Sequence, residues 1–250
     1  MRKFATSLII AALSVVAVSA RDKAADYKLN VQNFCELTVV DGVGVDYVCL
    51  PDSAGWAVFS CPPDMAAHIM FENKAEHLTV KTDADESPIR GIPRVRLYSA
   101  SLRKVTNSGD SLLRLSTSVP VSDFSIHIIG NGVVRASNVR ADNVDVRISA
   151  GCGHVYIDGT ARRCTARNVG TGLIEASRLR CEEFSCFVVG PGNIHCRPSA
   201  MLKVYGAGSG IVYYHTTPAA IKKRGLGVKA RPYSEAPKHD RLLTMLPLDN

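Results

Sequence analysis

A glycine–x–glycine triplet recurs through the second half of the chain at nearly constant spacing. The triplets are Gly130-Asn131-Gly132, Gly151-Cys152-Gly153, Gly170-Thr171-Gly172, Gly190-Pro191-Gly192, Gly208-Ser209-Gly210 and Gly225-Leu226-Gly227. Counted between the last glycines, at 132, 153, 172, 192, 210 and 227, the spacings are 21, 19, 20, 18 and 17 residues. A period near 20 residues predicts a solenoid, in which each repeat buries its apolar face against its neighbours.

The residues between the triplets alternate between apolar and polar with a period of two. Val144, Val146 and Ile148 precede one triplet, and Val155 and Ile157 follow it. This alternation indicates strands with one buried face. Short strands, glycine corners and no helical segment predict an all-β parallel β-helix of about six rungs. A solenoid of leucine-rich repeats is the alternative at this period, but the chain lacks the leucine-rich consensus. One inward column is expected to contain Val134, Val155, Ile174, Ile194 and Val212.

The two ends of the chain differ from the repeats. Residues 1–20 combine a basic start, an apolar stretch and small residues before Ala20, which predicts a signal peptide and export to the periplasm or cell surface. We expect no membrane-spanning segment after its cleavage. Residues 21–120 keep strand alternation without regular glycines, so they form either irregular first rungs or a β cap. Residues 121–231 form the rungs, and residues 232–250 form a tail whose "LLTML" would pack over the last rung.

The net charge and the cysteine content exclude few classes of binding partner. The net charge of +7 falls to +5 when Arg2 and Lys3 leave with the signal peptide (7 − 2 = 5). This small excess, in an exported protein, argues against nucleic acid as a partner. The 8 cysteines are expected mainly as small buried hydrophobic residues, because most alternate with apolar neighbours. The sequence leaves their disulfide state open.

The rungs resemble a known family of exported proteins. The similarity rests on "GNGVVRASNV", "GCGHVYIDG", "GTGLIEASRL", "GPGNIHC" and "GSGIVYYH", with "FCELTVVDGVGVDYV" and "NSGDS" nearer the N-terminus. Over roughly residues 30 to 230 the chain resembles the auto-transporter adhesin head domain family, also called the head GIN domain family. This resemblance implies a right-handed β-helix exported by Bacteroidetes-type bacteria, and it implies no catalytic residues.

Two outward columns of side chains are the candidate binding surface. One contains Arg135, Tyr156, Glu175, His195 and Tyr213, and the other contains His127, Arg147, Arg167, Phe187 and Tyr205. Aromatic rings and planar donors on rigid strands suit a glycan or a protein partner of the cell envelope. Cross-strand pairing that only stabilises the sheets is the alternative.

The sequence does not predict a catalytic or metal centre. A polysaccharide-cleaving β-helix would need clustered carboxylates, and neither column has two on adjacent rungs. Histidines 127, 154, 195 and 215 fall in different columns. We therefore expect a non-enzymatic interaction or scaffold module without a cofactor or metal. A carbohydrate-active β-helix enzyme is one alternative, and a structural protein that self-associates through an uncapped end is another.

Overall fold

Strands make up most of the chain, and a computed structural model describes residues 24–40, 42–83 and 91–236. The predicted signal peptide and the "LLTML" segment lie outside these ranges. The first nine strands are β1 Ala25–Asn30, β2 Glu36–Val39, β3 Val45–Cys49, β4 Trp56–Cys61, β5 Ile69–Lys74, β6 His77–Thr82, β7 Val95–Ser99, β8 Lys104–Asn107 and β9 Leu112–Ser116. The others are β10 Val121–Ile128, β11 Val133–Ile148, β12 His154–Val169, β13 Leu173–Val189, β14 Asn193–Ala207, β15 Ile211–Tyr214, β16 Ala220–Leu226 and β17 Lys229–Pro232. Short helices are α1 at Pro63–Ala66 and 3-10 turns at Pro51–Ser53 and Tyr233–Glu235.

The strands form a parallel β-solenoid of about six turns with an irregular N-terminal sheet, which confirms the predicted fold class. Register irregularities interrupt the ladders between the long strands β11 to β14, and each of these strands contributes to two faces. Face A contains β3, β9, the first halves of β11 to β14, β15 and β17. Face B contains β2, β8, β10, the second halves of β11 to β14 and β16.

The core lies between the two faces and is built from stacked apolar columns. The column predicted on face A stacks in register, and all of its members are fully buried: Val134, Val155, Ile174, Ile194 and Val212. Face B contributes a second buried column: Ile126, Val146, Ala166, Cys186 and Val204. Burial of these side chains is the main stabilising contribution to the solenoid.

Asn168 is an exception within this core. Its amide is fully buried and donates to the carbonyl of Gly172 at 2.7 Å and to that of Asn193 at 3.2 Å. These bonds tie the end of β12 to the turns of its own rung and the next. Asn168 therefore has a structural role, as a buried hydrogen-bonded asparagine usually does.

The two glycines of a triplet serve different purposes. Gly170 has φ +134°, a conformation that side-chain-bearing residues rarely adopt. Gly172 has no such dihedral, but a Cβ there would lie 2.3 Å from the carbonyl oxygen of Gly153 in the previous rung. The first glycine therefore permits the turn, and the second permits close approach between rungs.

The last triplet does not take the position that its spacing suggests. A Cβ on Gly227 would lie 2.3 Å from the oxygen of Gly208, so Gly227 stacks on the first glycine of the preceding triplet. Gly225 stacks on Gly206 within the strands β16 and β14. The assignment of Gly227 as the equivalent of Gly210 is wrong by two residues.

The N-terminal portion contains both of the arrangements that the sequence left open. Strands β8 and β9 pair in parallel with β10 and β11, and β2 and β3 pair in parallel with β8 and β9. The next rung outward consists of β6 and β7, which come between β3 and β8 in the chain. Antiparallel strands β1, β4 and β5 add to this end. Their pairing covers strand edges that an open solenoid end would expose.

Among the described residues no helix reaches the length and hydropathy needed to cross a membrane.

Candidate functional site

The side chains of the face-A column stack in the predicted register. This column consists of Arg135, Tyr156, Glu175, His195 and Tyr213, which pair successively across β11 to β15. The guanidinium of Arg135 lies over the ring of Tyr156, with its carbon 5.3 Å from the ring centroid. The alignment of these residues is therefore confirmed.

The prediction that this column forms an exposed surface is wrong for four of its five members. Tyr156 is 9% exposed, Glu175 6%, His195 1% and Tyr213 2%. The 3-10 turn at Tyr233–Glu235 follows β17 and packs against this face, with the Tyr233 ring centroid 5.8 Å from that of His195. The His195 end of the column therefore lies beneath a C-terminal segment, where a large ligand could not reach it.

A cluster of the buried Glu175 and His195 with the half-buried His215 lies under that turn. One ligand atom from each of these residues lies within 4.8 Å of the other two. Nδ1 of His195 is 3.0 Å from Oε2 of Glu175, and the backbone amide of Ser177 donates to Oε1 of Glu175 at 2.9 Å. The Tyr233 ring stacks on His215 with centroids 3.8 Å apart.

His215 was not placed in this cluster by the sequence. It follows Tyr213 by two residues and so points to the same side of the sheet. Tyr213 pairs with His195, so His215 is the diagonal neighbour of His195, within reach of a long side chain. The i+2 spacing from Tyr213 was the signal that could have found it.

The protonation of the cluster follows from its burial and its contacts. Burial alone would raise the pKa of Glu175, but the hydrogen bond and charge of His195 and the bonds from Ser177 outweigh it and lower that pKa. Burial lowers the pKa of His215 to about 4. At neutral pH the cluster therefore contains a carboxylate and a neutral imidazole at His215.

The face-B column, by contrast, is open to solvent at its aromatic end. It consists of His127, Arg147, Arg167, Phe187 and Tyr205, again in the predicted register. Phe187 is 42% exposed and Tyr205 36%. The apolar residues Val169 and Val189 are also exposed and adjoin these rings along the strands. This column presents a flat surface of mixed aromatic, aliphatic and cationic character.

Hydrogen bonds and ion pairs hold the polar end of the face-B column. Asp145 accepts from Arg167 at 2.6 Å and from Arg147 at 3.3 Å. Nε2 of His127 lies 2.6 Å from the hydroxyl of Ser149. Burial, with the nearby cations Arg147 and Lys104, lowers the pKa of His127, so this ring is neutral at neutral pH. Exposed pairs of this kind add little stability, but they orient the two guanidinium groups.

The parallel β-solenoid with its glycine turns has the architecture of a known family. The family model described as "Putative auto-transporter adhesin, head GIN domain" matches residues 33–218. The chain belongs to this family, as its glycine rungs indicated.

Solved structures from Bacteroidetes share the fold. A "putative adhesin" from Bacteroides fragilis NCTC 9343 is 19% identical, with a TM-score of 0.73 over 84% of this chain and 97% of that one. A second, from Parabacteroides distasonis ATCC 8503, is 20% identical, with a TM-score of 0.65 over 84% and 97%. A "putative lipid binding protein" from the same organism is 16% identical, with a TM-score of 0.65 over 84% and 96%. No curated protein matches the chain.

Proposed function

We propose that this protein is an exported, non-enzymatic interaction module of the cell envelope, and that it binds a glycan through the face-B column. The observation that carries this proposal is the exposure of Phe187 and Tyr205 on adjacent strands, in line with Arg147 and Arg167. Sugar rings stack on aromatic faces, and guanidinium groups donate hydrogen bonds to hydroxyl and carboxylate oxygens. Family membership supports an adhesin-like role, and the predicted signal peptide supports export.

The rigidity of the solenoid suits this role. Phe187 and Tyr205 lie on strands paired on both sides, β13 between β12 and β14, and β14 between β13 and β16. Their orientation is therefore fixed before a ligand arrives, which lowers the entropic cost of binding. Successive rungs lie about 4.8 Å apart, so an extended polymer could contact several rungs at once.

A glycan-array screen of the mature chain from Arg21 tests this proposal. The wild type is expected to bind a defined glycan class, and the double variant Phe187→Ala/Tyr205→Ala is expected to lose that binding. Met70→Ala is the matched control, because Met70 is exposed to the same 42% but lies on β5 in the N-terminal sheet. Equal binding by the double variant and the control would contradict the assignment of the surface.

Binding of an amphipathic lipid at the same surface is a second candidate. The observation in its favour is the exposed apolar strip of Val169, Val189 and Leu226 beside the two aromatic rings. Co-sedimentation with vesicles of anionic phospholipid tests it, with phosphatidylcholine vesicles as the comparison. Binding to vesicles that is lost in Phe187→Ala/Tyr205→Ala, together with a blank glycan array, would replace the glycan by a lipid as the ligand.

A further inference from the structure

The Glu175–His195–His215 cluster contains donor atoms that the fold leaves without partners. Nε2 of His195 and Nε2 of His215 are both buried, and neither has a hydrogen-bond partner within the described part of the chain. Leaving a buried polar atom unpaired destabilises the folded state. Two such atoms within one cluster, beside the Glu175 carboxylate, make the cluster a candidate ligand site.

The solenoid brings the three side chains together from three successive rungs. Glu175 on β13 pairs with His195 on β14, and His195 pairs with Tyr213, two residues before His215. Their ligand atoms already lie within 4.8 Å of one another. Bonds from zinc to histidine nitrogen and carboxylate oxygen are about 2.0–2.2 Å long, so two ligands of one tetrahedral ion lie about 3.4 Å apart. Small side-chain rotations would therefore complete such a site.

The donor set selects the type of ion. Two imidazoles and one carboxylate form a set that binds zinc and similar transition metals, usually with a further position for water. Calcium and magnesium take six or more oxygen ligands, and Glu175 is the only carboxylate in the cluster. The negative charge of Glu175 would offset part of the charge of a divalent ion.

We propose that Glu175, His195 and His215 bind one zinc-type divalent cation on face A. The site is separate from the face-B column, so it does not depend on the proposed glycan binding. The bound ion links β13 and β14 to the residue that follows β15. The Tyr233 ring, which stacks on His215, then packs directly over the site. The ion therefore stabilises the last rungs and the C-terminal turn that covers them.

Zinc titration of the metal-free mature chain, by calorimetry and by elemental analysis after gel filtration, tests this proposal. We expect one zinc ion per chain and a rise in melting temperature on binding. Glu175→Gln and His215→Phe keep side-chain shape, and the phenyl ring can still stack on Tyr233. Each is expected to weaken zinc binding at least about tenfold, because loss of even an outer-shell residue that orients a ligand typically costs that much.

His154→Ala is the matched control, because His154 is a half-buried face-A histidine outside the cluster. It is expected to bind zinc like the wild type. Cobalt(II) provides a second readout that does not depend on stability, because a four-coordinate site with imidazole ligands gives intense visible absorption. If the wild type binds no stoichiometric zinc, or if both cluster variants bind it as tightly as the control, the proposal is wrong.

Discussion

At the scale of single residues, glycines and one asparagine shape the turns of this solenoid. Gly170 provides a left-handed dihedral, and Gly172 provides space for the neighbouring rung. Asn168 supplies the hydrogen bonds that a buried turn would otherwise lack. These residues act through different physical causes, so their substitution should have different signatures.

Replacing Gly172 with alanine tests the role of close approach without changing a strained dihedral. The added Cβ would lie 2.3 Å from the carbonyl oxygen of Gly153, so the two rungs must move apart. We expect the free energy of unfolding to fall by about 1–3 kcal/mol, the usual cost of overpacking, measured by urea denaturation. Gly44→Ala is the control, because its Cβ would meet only the Arg94 side chain at 3.5 Å. An equal loss in both variants would contradict the close-approach explanation.

His154 is expected to contribute to the pH dependence of stability. Burial lowers its pKa below the ordinary 6.5, and a hydrogen bond with the backbone of Cys152 offsets this only in part. The unfolded chain therefore takes up the proton more readily, so stability present above about pH 6.5 is lost as the pH falls. His127 and His215 act in the same direction, so the test is a comparison between variants.

His154→Asn should show a smaller loss of melting temperature between pH 7 and pH 5 than the wild type. EDTA is included so that metal loss does not contribute. The exposed His68 provides the control variant His68→Asn, which should follow the wild type. A His154→Asn profile identical to that of the wild type would exclude His154 as a contributor.

Among the strands, β16 is unusual because it places a lysine at a position that continues the apolar face-B core column. Val204 of the fully buried face-B column pairs with Lys223, and Lys223 is exposed. Within the described chain β16 pairs with β14 on one side, so its other edge is available for strand addition. A charge in an inward position is a common protection against edge-to-edge association. We therefore expect Lys223 to oppose the self-association that an uncapped end would favour.

Lys223→Val should allow copies of the chain to associate through the free edge of β16. Sedimentation velocity is expected to show a concentration-dependent rise in mass that the wild type lacks. Lys222→Val is the matched control, because Lys222 pairs with Lys203 in an outward column. If both variants associate equally, the cause is the loss of positive charge in general, and the inward position of Lys223 has no special role. If neither associates, Lys223 does not protect this edge.

At the scale of the whole molecule, the regular repeats were predictable and the exceptions were not. The nearly constant repeat length and the period-two alternation together predict the fold and the in-register columns, including the buried column from Val134 to Val212. The last turn was misplaced because Gly206-Ala207-Gly208-Ser209-Gly210 contains two overlapping triplets, and the spacing alone does not choose between them. In the N-terminal portion β2 pairs with β6 on one side and with β8 on the other. No regularly spaced glycine marks these rungs, so the sequence does not predict this order.

The sequence predicts which side chains of the two columns align, but it does not predict that most of the face-A side chains are buried. Alternation shows which residues leave the core, and that is why both columns were found. It does not show that Tyr233, beyond the last repeat, returns to cover His195 and His215. That contact leaves face B as the open surface and hides a polar cluster on face A.

Calorimetric titration of the strongest glycan from the array, against matched variants on the two faces, decides whether the face-B column binds a glycan. Phe187→Ala or Arg167→Ala on face B should weaken binding by about 1 kcal/mol or more, roughly fivefold, as loss of a central contact does. Tyr156→Phe on face A should leave the affinity unchanged. If the wild type binds no glycan, or if the face-B variants bind as tightly as Tyr156→Phe, the glycan-binding account of this solenoid is wrong.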